Sequence, residues 1–158
     1  MKKTLTFLGI AALSFLLAYC TTTNKPASET AAQPDPLAAD RAKHLAALRA
    51  KIAGKENLAA GAVFENIQRL KAVEAARLLE VMEIWSKVLG VSCDHCHVAY
   101  EWASEVKPEK EVTRQMVGLV NKLNDDLNNM PALKGSEPSI SCYTCHRGET
   151  KPATKVKF

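Results

Sequence analysis

Aromatic side chains are scarce in this chain. Phe, Trp and Tyr make up only 6% of its 158 residues, so rings of its own cannot dominate a core, and the apolar bulk has to come from aliphatic side chains or from outside the chain. No block of basic residues stands out and the formal net charge is only +4, which gives no footprint for a nucleic-acid partner. No apolar run reaches the roughly 20 residues of a membrane-spanning helix; the longest, Leu5 to Tyr19, has 15. There is no nucleophile-and-base set, no phosphate-cradling glycine loop and no paired acid, which removes the usual grounds for hydrolysis or phosphoryl transfer. Five cysteines are present, and none is free to form a disulfide once their spacing is taken into account.

Four of the five cysteines fall in two pentapeptides, Cys93-Asp94-His95-Cys96-His97 and Cys142-Tyr143-Thr144-Cys145-His146. C-x-x-C-H is the attachment signature of a c-type haem: the two thiols add across the vinyl groups and the histidine binds the iron from one side. A C-x-x-C pair alone could equally be a redox dithiol or half of a zinc ribbon. Both pairs here run directly into a histidine, and 45 residues separate Cys96 from Cys142 where a ribbon wants roughly 15–20. The expectation is two covalent haems, held by Cys93, Cys96, Cys142 and Cys145, with His97 and His146 on the irons. Two such groups would also supply the missing apolar bulk.

Each motif follows an apolar helix face that carries a methionine. Leu78, Met82, Trp85 and Leu89 recur at helical spacing on a segment that begins near Glu74 and stops at Gly90. Met82 lies seven residues from the end of that segment, roughly 10 Å at 1.5 Å per residue, which is about the width of a porphyrin. Val112, Met116, Leu119, Leu123 and Leu127 form a second stripe, started by Pro108 and ended before Pro131. Methionine on an apolar helix face is ordinarily packing. Placed upstream of haem motifs, Met82 and Met116 become the expected sixth ligands, with Met130 a weaker substitute for Met116. His44 is expected to be an exposed histidine rather than a distal ligand, and His95 to face solvent. Arg147 is a possible partner for a propionate.

The chain divides by composition. Residues 1–20 read as a secretory leader, with Lys2 and Lys3 ahead of the apolar run, ending Leu17-Ala18-Tyr19-Cys20 in a lipoprotein-box-like sequence. Cys20 is then the expected lipidation site; ordinary cleavage with a soluble product is the runner-up and a retained anchor the third reading. Residues 21–36, rich in Thr, Ala, Pro and Ser, read as a flexible tether. Residues 37–60 read as an accessory helix broken by Gly54, residues 61–150 as the dihaem domain, with an opening stretch of uncertain structure at 61–71, and residues 151–158 as a basic tail.

From about Gly61 to Gly148 the chain resembles the photosynthetic reaction centre cytochrome c subunit family. The resemblance rests on Asn66-Ile67-Gln68 with Leu70-Lys71, Met82, Leu89-Gly90-Val91 ahead of the first motif, the helix with Met116, and Cys142-Tyr143-Thr144-Cys145-His146-Arg147-Gly148. It implies an all-α, loop-rich multihaem c-type cytochrome whose helices run parallel to the porphyrins, with Met82 and Met116 as sixth ligands, on a lipid-anchored periplasmic protein. That subunit carries four haems in two similar halves, whereas this chain has one half. The expected function is therefore a stand-alone dihaem carrier, not an enzyme, that passes single electrons between redox protein partners from the periplasmic side of a bacterial membrane. The alternatives are a dihaem peroxidase-like or small-ligand-binding protein with one open iron, and a haem subunit of a larger membrane redox complex.

Overall fold

A computed structural model describes residues 34–155; the leader, Cys20 and nearly all of the tether lie outside the described residues. The chain splits into the units Met1–Pro34 and Asp35–Phe158, and the elements below all belong to the second. They are α1 (Ala38–Lys51), α2 (Ala60–Val63), α3 (Ala75–Leu89), α4 (Glu109–Asn128) and α5 (Cys142–Cys145), with short 3-10 turns at Cys93–His95 and Pro131–Leu133. Among the described residues there is no β-strand, only isolated bridges between Ala59 and Glu74 and between Val98 and Glu101. The fold is all-α, as expected.

The helix boundaries follow local chemistry. α3 starts after Glu74 and closes on Gly90, whose left-handed backbone (φ 66°) lets the Val91 amide turn back to the Ser86 carbonyl at 2.9 Å. α4 follows Pro108 and carries Glu109 and Glu111 in its first turn, where carboxylates complement the positive end of the helix dipole. The opening stretch of the expected domain takes shape as α2 and an irregular segment, in which Asn66 adopts a left-handed backbone (φ 57°).

The core is small. Leu45 and Ile52 of α1 pack on Ala75 and Leu79 of α3, with Leu48, Val63 and Phe64 against them. α1 thus presents one face, 41-44-45-48-52, to the rest of the molecule. That register overturns the expectation that His44 is exposed: it is only 6% accessible. Its Nε2 lies 3.5 Å from Asp40, and its ring meets Tyr100 and Trp102 edge-on at 5.8 and 5.4 Å. Arg41 is buried on the same face, donating to the Val91 carbonyl at 3.0 Å and pairing with Asp35. α1 therefore grips the loop that leads into the first cysteine pair. α4, by contrast, buries no residue at all.

Candidate functional site

The first motif is delivered by the end of α3. Gly90 turns the chain, Arg41 holds Val91, and Cys93–His95 form a 3-10 turn closed by the His97 amide bonding back to the Cys93 carbonyl at 3.1 Å. The result is a cavity of about 740 Å³, within the range of cofactor sites. Cys93, Cys96 and His97 line it, and α3 contributes the anticipated face, with Leu78, Met82, Trp85 and Leu89 all present. α4 closes the other side with Thr113, Arg114 and Val117. Two thiols, an imidazole and a thioether thus share one largely apolar cavity, the donor set a c-type haem takes.

The imidazole is prepared for ligation. His97 Nδ1 lies 3.4 Å from the Trp102 carbonyl, and because a carbonyl only accepts, Nδ1 carries the proton and Nε2 keeps its lone pair. The Trp102 ring meets the imidazole edge-on at 5.5 Å. Burial, with Lys110 nearby, pushes His97 below the usual histidine range and favours the neutral ligating form; the Trp102 carbonyl opposes this. Burial raises the thiols of Cys93, Cys96 and Cys142, which works against the thiolate that zinc or disulfide exchange would need. Among the described residues no three His, Cys, Asp or Glu side chains gather as a metal-binding cluster, and Cys93, Cys96, Cys142 and Cys145 are all free.

The second motif is α5 itself. Ser141 and Thr144 form a capping box, so the helical turn is closed at its start. Asn124 of α4 holds the incoming strand of chain by two bonds to Ile140, at 3.0 and 2.7 Å. The outgoing end is fixed by the Gly148 amide bonding to the Val88 carbonyl at 2.7 Å. Gly90 and Gly148 are so close that a Cβ at Gly90 would sit 1.9 Å from the Gly148 oxygen. The two motifs are therefore joined backbone to backbone at the end of α3. His146 Nδ1 faces the Glu149 carbonyl at 2.9 Å, the same arrangement as at His97.

The surroundings of this second set are open. Cys145 is exposed, Tyr143 is 61% accessible and Met116 is 43% accessible, in an exposed apolar stripe with Val112, Leu119 and Leu123. The structure places Met116 on that stripe and outside the large cavity, so it joins Met82 with His97 in one site but does not enclose Met116 with His146. Met130 is exposed too, His95 faces solvent as expected, and Arg147 is exposed with φ 50°. Arg41, Trp102 and Lys110 were not singled out in the sequence; of these only Arg41 left a signal, its helical spacing with Leu45 and Leu48.

Comparison with known proteins places the chain in a family. Residues 20–156 match the family described as photosynthetic reaction centre cytochrome C subunit. The photosynthetic reaction center cytochrome c subunit of Thermochromatium tepidum is 35% identical over 96 residues, covering 59% of this chain and 22% of that protein. Cytochrome c-554 of Chloroflexus aurantiacus is 34% identical over 83 residues, 51% of this chain and 20% of that protein. The reaction center cytochrome c subunit of Rubrivivax gelatinosus is 30% identical over 95 residues, 59% of this chain and 25% of that protein. The matched region spans only about a fifth to a quarter of the length of these relatives. With the family match running over most of its length, the chain belongs to the photosynthetic reaction centre cytochrome c subunit family.

Proposed function

We propose that this protein is a membrane-tethered dihaem c-type cytochrome that carries single electrons between redox protein partners on the periplasmic side of a bacterial membrane. The observation that carries the reading is the cavity shared by Met82, Cys93, Cys96 and His97. Cys93 and Cys96 would hold one haem by thioether bonds, with His97 Nε2 and Met82 Sδ on its iron; Cys142, Cys145, His146 and Met116 would serve the second. Bound haem supplies reversible one-electron chemistry whose potential follows axial ligand, hydrogen bonding and burial. The chain's part is to keep His97 neutral by burial and oriented by the Trp102 carbonyl, to keep water from the first site with the α3 and α4 faces, and to leave the second site accessible to a partner.

No described helix is long and apolar enough to cross a membrane, and the tether reading rests on lipidation of Cys20. The exposure of Met116 favours one second reading, confined to the second site: an open iron there that binds small ligands or peroxide.

The test is one purification. Pyridine haemochrome analysis gives two covalent haems per chain, and the ferrous spectrum is unchanged by carbon monoxide; fewer haems sink the dihaem reading, and carbon monoxide binding turns the second site towards ligand chemistry. In the same preparation Cys20→Ala releases the protein from membranes, and continued attachment removes the lipid anchor.

A further inference from the structure

The two motif histidines face backbone carbonyls that are not equivalent. The Glu149 carbonyl faces His146 Nδ1 at 2.9 Å in an exposed turn, and among the described residues no side-chain cation donates to it. The Trp102 carbonyl faces His97 Nδ1 at the longer distance of 3.4 Å and also accepts from Lys110 Nζ at 3.1 Å. Lys110 is held in place. Its side chain is only 9% accessible, its ammonium donates to the Ser104 carbonyl at 2.7 Å, and Glu105 lies 3.0 Å away. It also lines the cavity that contains Met82 and His97.

A carbonyl that binds an ammonium has less electron density to offer a second donor. The His97 N–H bond to it is correspondingly weaker, and the imidazole is a poorer electron donor to whatever its Nε2 ligates, since second-shell acceptors raise ligand basicity. The largely enclosed ammonium of Lys110, only partly offset by the more exposed Glu105, acts in the same direction, because a nearby positive charge favours the state of lower positive charge at the iron. From this geometry, and resting on the haem assignment above, we infer that Lys110 is a positioning residue that raises the reduction potential of the first haem above that of the second by sharing the Trp102 carbonyl with His97. The one-electron step it biases is ferric to ferrous, the electron coming from the redox partner or from the second haem. Electrons then rest on the enclosed first haem, and the exposed second haem is where they enter and leave.

The test is a potentiometric titration of the full-length holoprotein, each haem followed by its own absorption. The first haem is assigned as the one whose methionine-to-iron band Met82→Ala removes. Lys110→Leu lowers the first haem's reduction equilibrium about tenfold, which for one electron is about 59 mV, and leaves the second unmoved. Lys110→Arg, which keeps the charge and a donor, retains the first haem's potential. Glu105→Gln removes the counter-charge and moves the same potential upward, a shift of opposite sign that a merely structural role does not produce. A Lys110→Leu protein with two haems and an unshifted first potential overturns the inference, as does an equal shift at both haems. If Lys110→Leu does not fold, Glu105→Gln decides alone: an upward shift at the first haem supports the assignment, and no shift or a downward one overturns it. Failure of the haem assignment itself reads differently, as wild-type protein lacking covalent haem.

Discussion

The same pentapeptide pattern occurs twice in this chain in two very different settings. At the first, His97 and its cysteines sit in a cavity walled by α3 and α4, and α1 grips the approach through Arg41. At the second, α5 is a single helical turn pinned by the Asn124 side chain ahead of it and by the Gly148–Val88 backbone bond after it, with Tyr143, Cys145 and the Met116 stripe exposed. α4 serves both settings: Thr113 and Val117 face the cavity, while Val112, Met116, Leu119 and Leu123 lie exposed on an adjoining face. The motif sets which donors are present; burial, and with it the electrostatics of the iron, is set by what the rest of the chain packs around them. The first site is walled by the protein's own helices. The second leaves its apolar stripe exposed, where the proposed second haem or a partner would cover it.

The joint between the two settings offers the largest effect. Gly90 has a left-handed backbone (φ 66°), where a side chain costs roughly 1–2 kcal/mol by itself. Its missing Cβ is also the space occupied by the Gly148 oxygen. Gly54, also left-handed (φ 78°), has nothing within 4 Å of the same position. Gly90→Ala therefore destabilises the fold well beyond Gly54→Ala, by a few kcal/mol against about 1, with a correspondingly larger drop in thermal midpoint, and loosens the second motif. Equal losses in calorimetry would show that the Gly90–Gly148 contact is not what joins the halves.

The next effect is spectroscopic. Met82→Ala removes the methionine-to-iron absorption of the first haem, and Met116→Ala that of the second. Because Met116 is exposed and Met82 lines a cavity, carbon monoxide binds faster in the Met116 variant than in the Met82 variant. An unaltered spectrum in Met116→Ala would take Met116 out of the ligand set and turn attention to Met130 or an open iron.

What the sequence revealed and what it hid divide along physical lines. The start and stop of α3, its Leu78-Met82-Trp85-Leu89 face and the α4 stripe were legible because helical periodicity and a terminal glycine are local signals. The burial of His44 was not, because a polar residue on a weakly amphipathic helix reads as solvated until Tyr100 and Trp102, more than fifty residues on, close over it. The shared carbonyl at Trp102 was hidden for a stronger reason: it is a backbone atom, and the chain of letters says nothing of which backbone groups a folded loop turns inward. The all-α class was accessible from sequence, while the unequal settings of His97 and His146 required the fold.

The smallest expected effect concerns pH and again separates the two settings. Glu105 binds Arg114 at 2.6 and 2.7 Å, lies 3.0 Å from Lys110, and meets Asn66 from the segment before α3. The hydrogen bonds from Arg114 and then Lys110 hold its carboxyl down from 4.5 to about 2. A depressed carboxylate pKa means that the stabilisation is fully present above about pH 4.5 and is lost as pH falls from there towards about 2. The Glu105 side chain is 44% accessible, so salt screens much of the effect and its size is modest. Its partners Asn66, Lys110 and Arg114 line the first cavity, and none of these residues belongs to the second motif. Acid titration across that window therefore loosens the first site in the wild type, seen as loss of its methionine-to-iron band, and the loss is smaller in Glu105→Gln, which has no such proton to take up. Identical acid profiles for the two proteins at low salt would mean that the network does not help hold the first site closed, and that the α3 and α4 apolar faces alone distinguish it from the second.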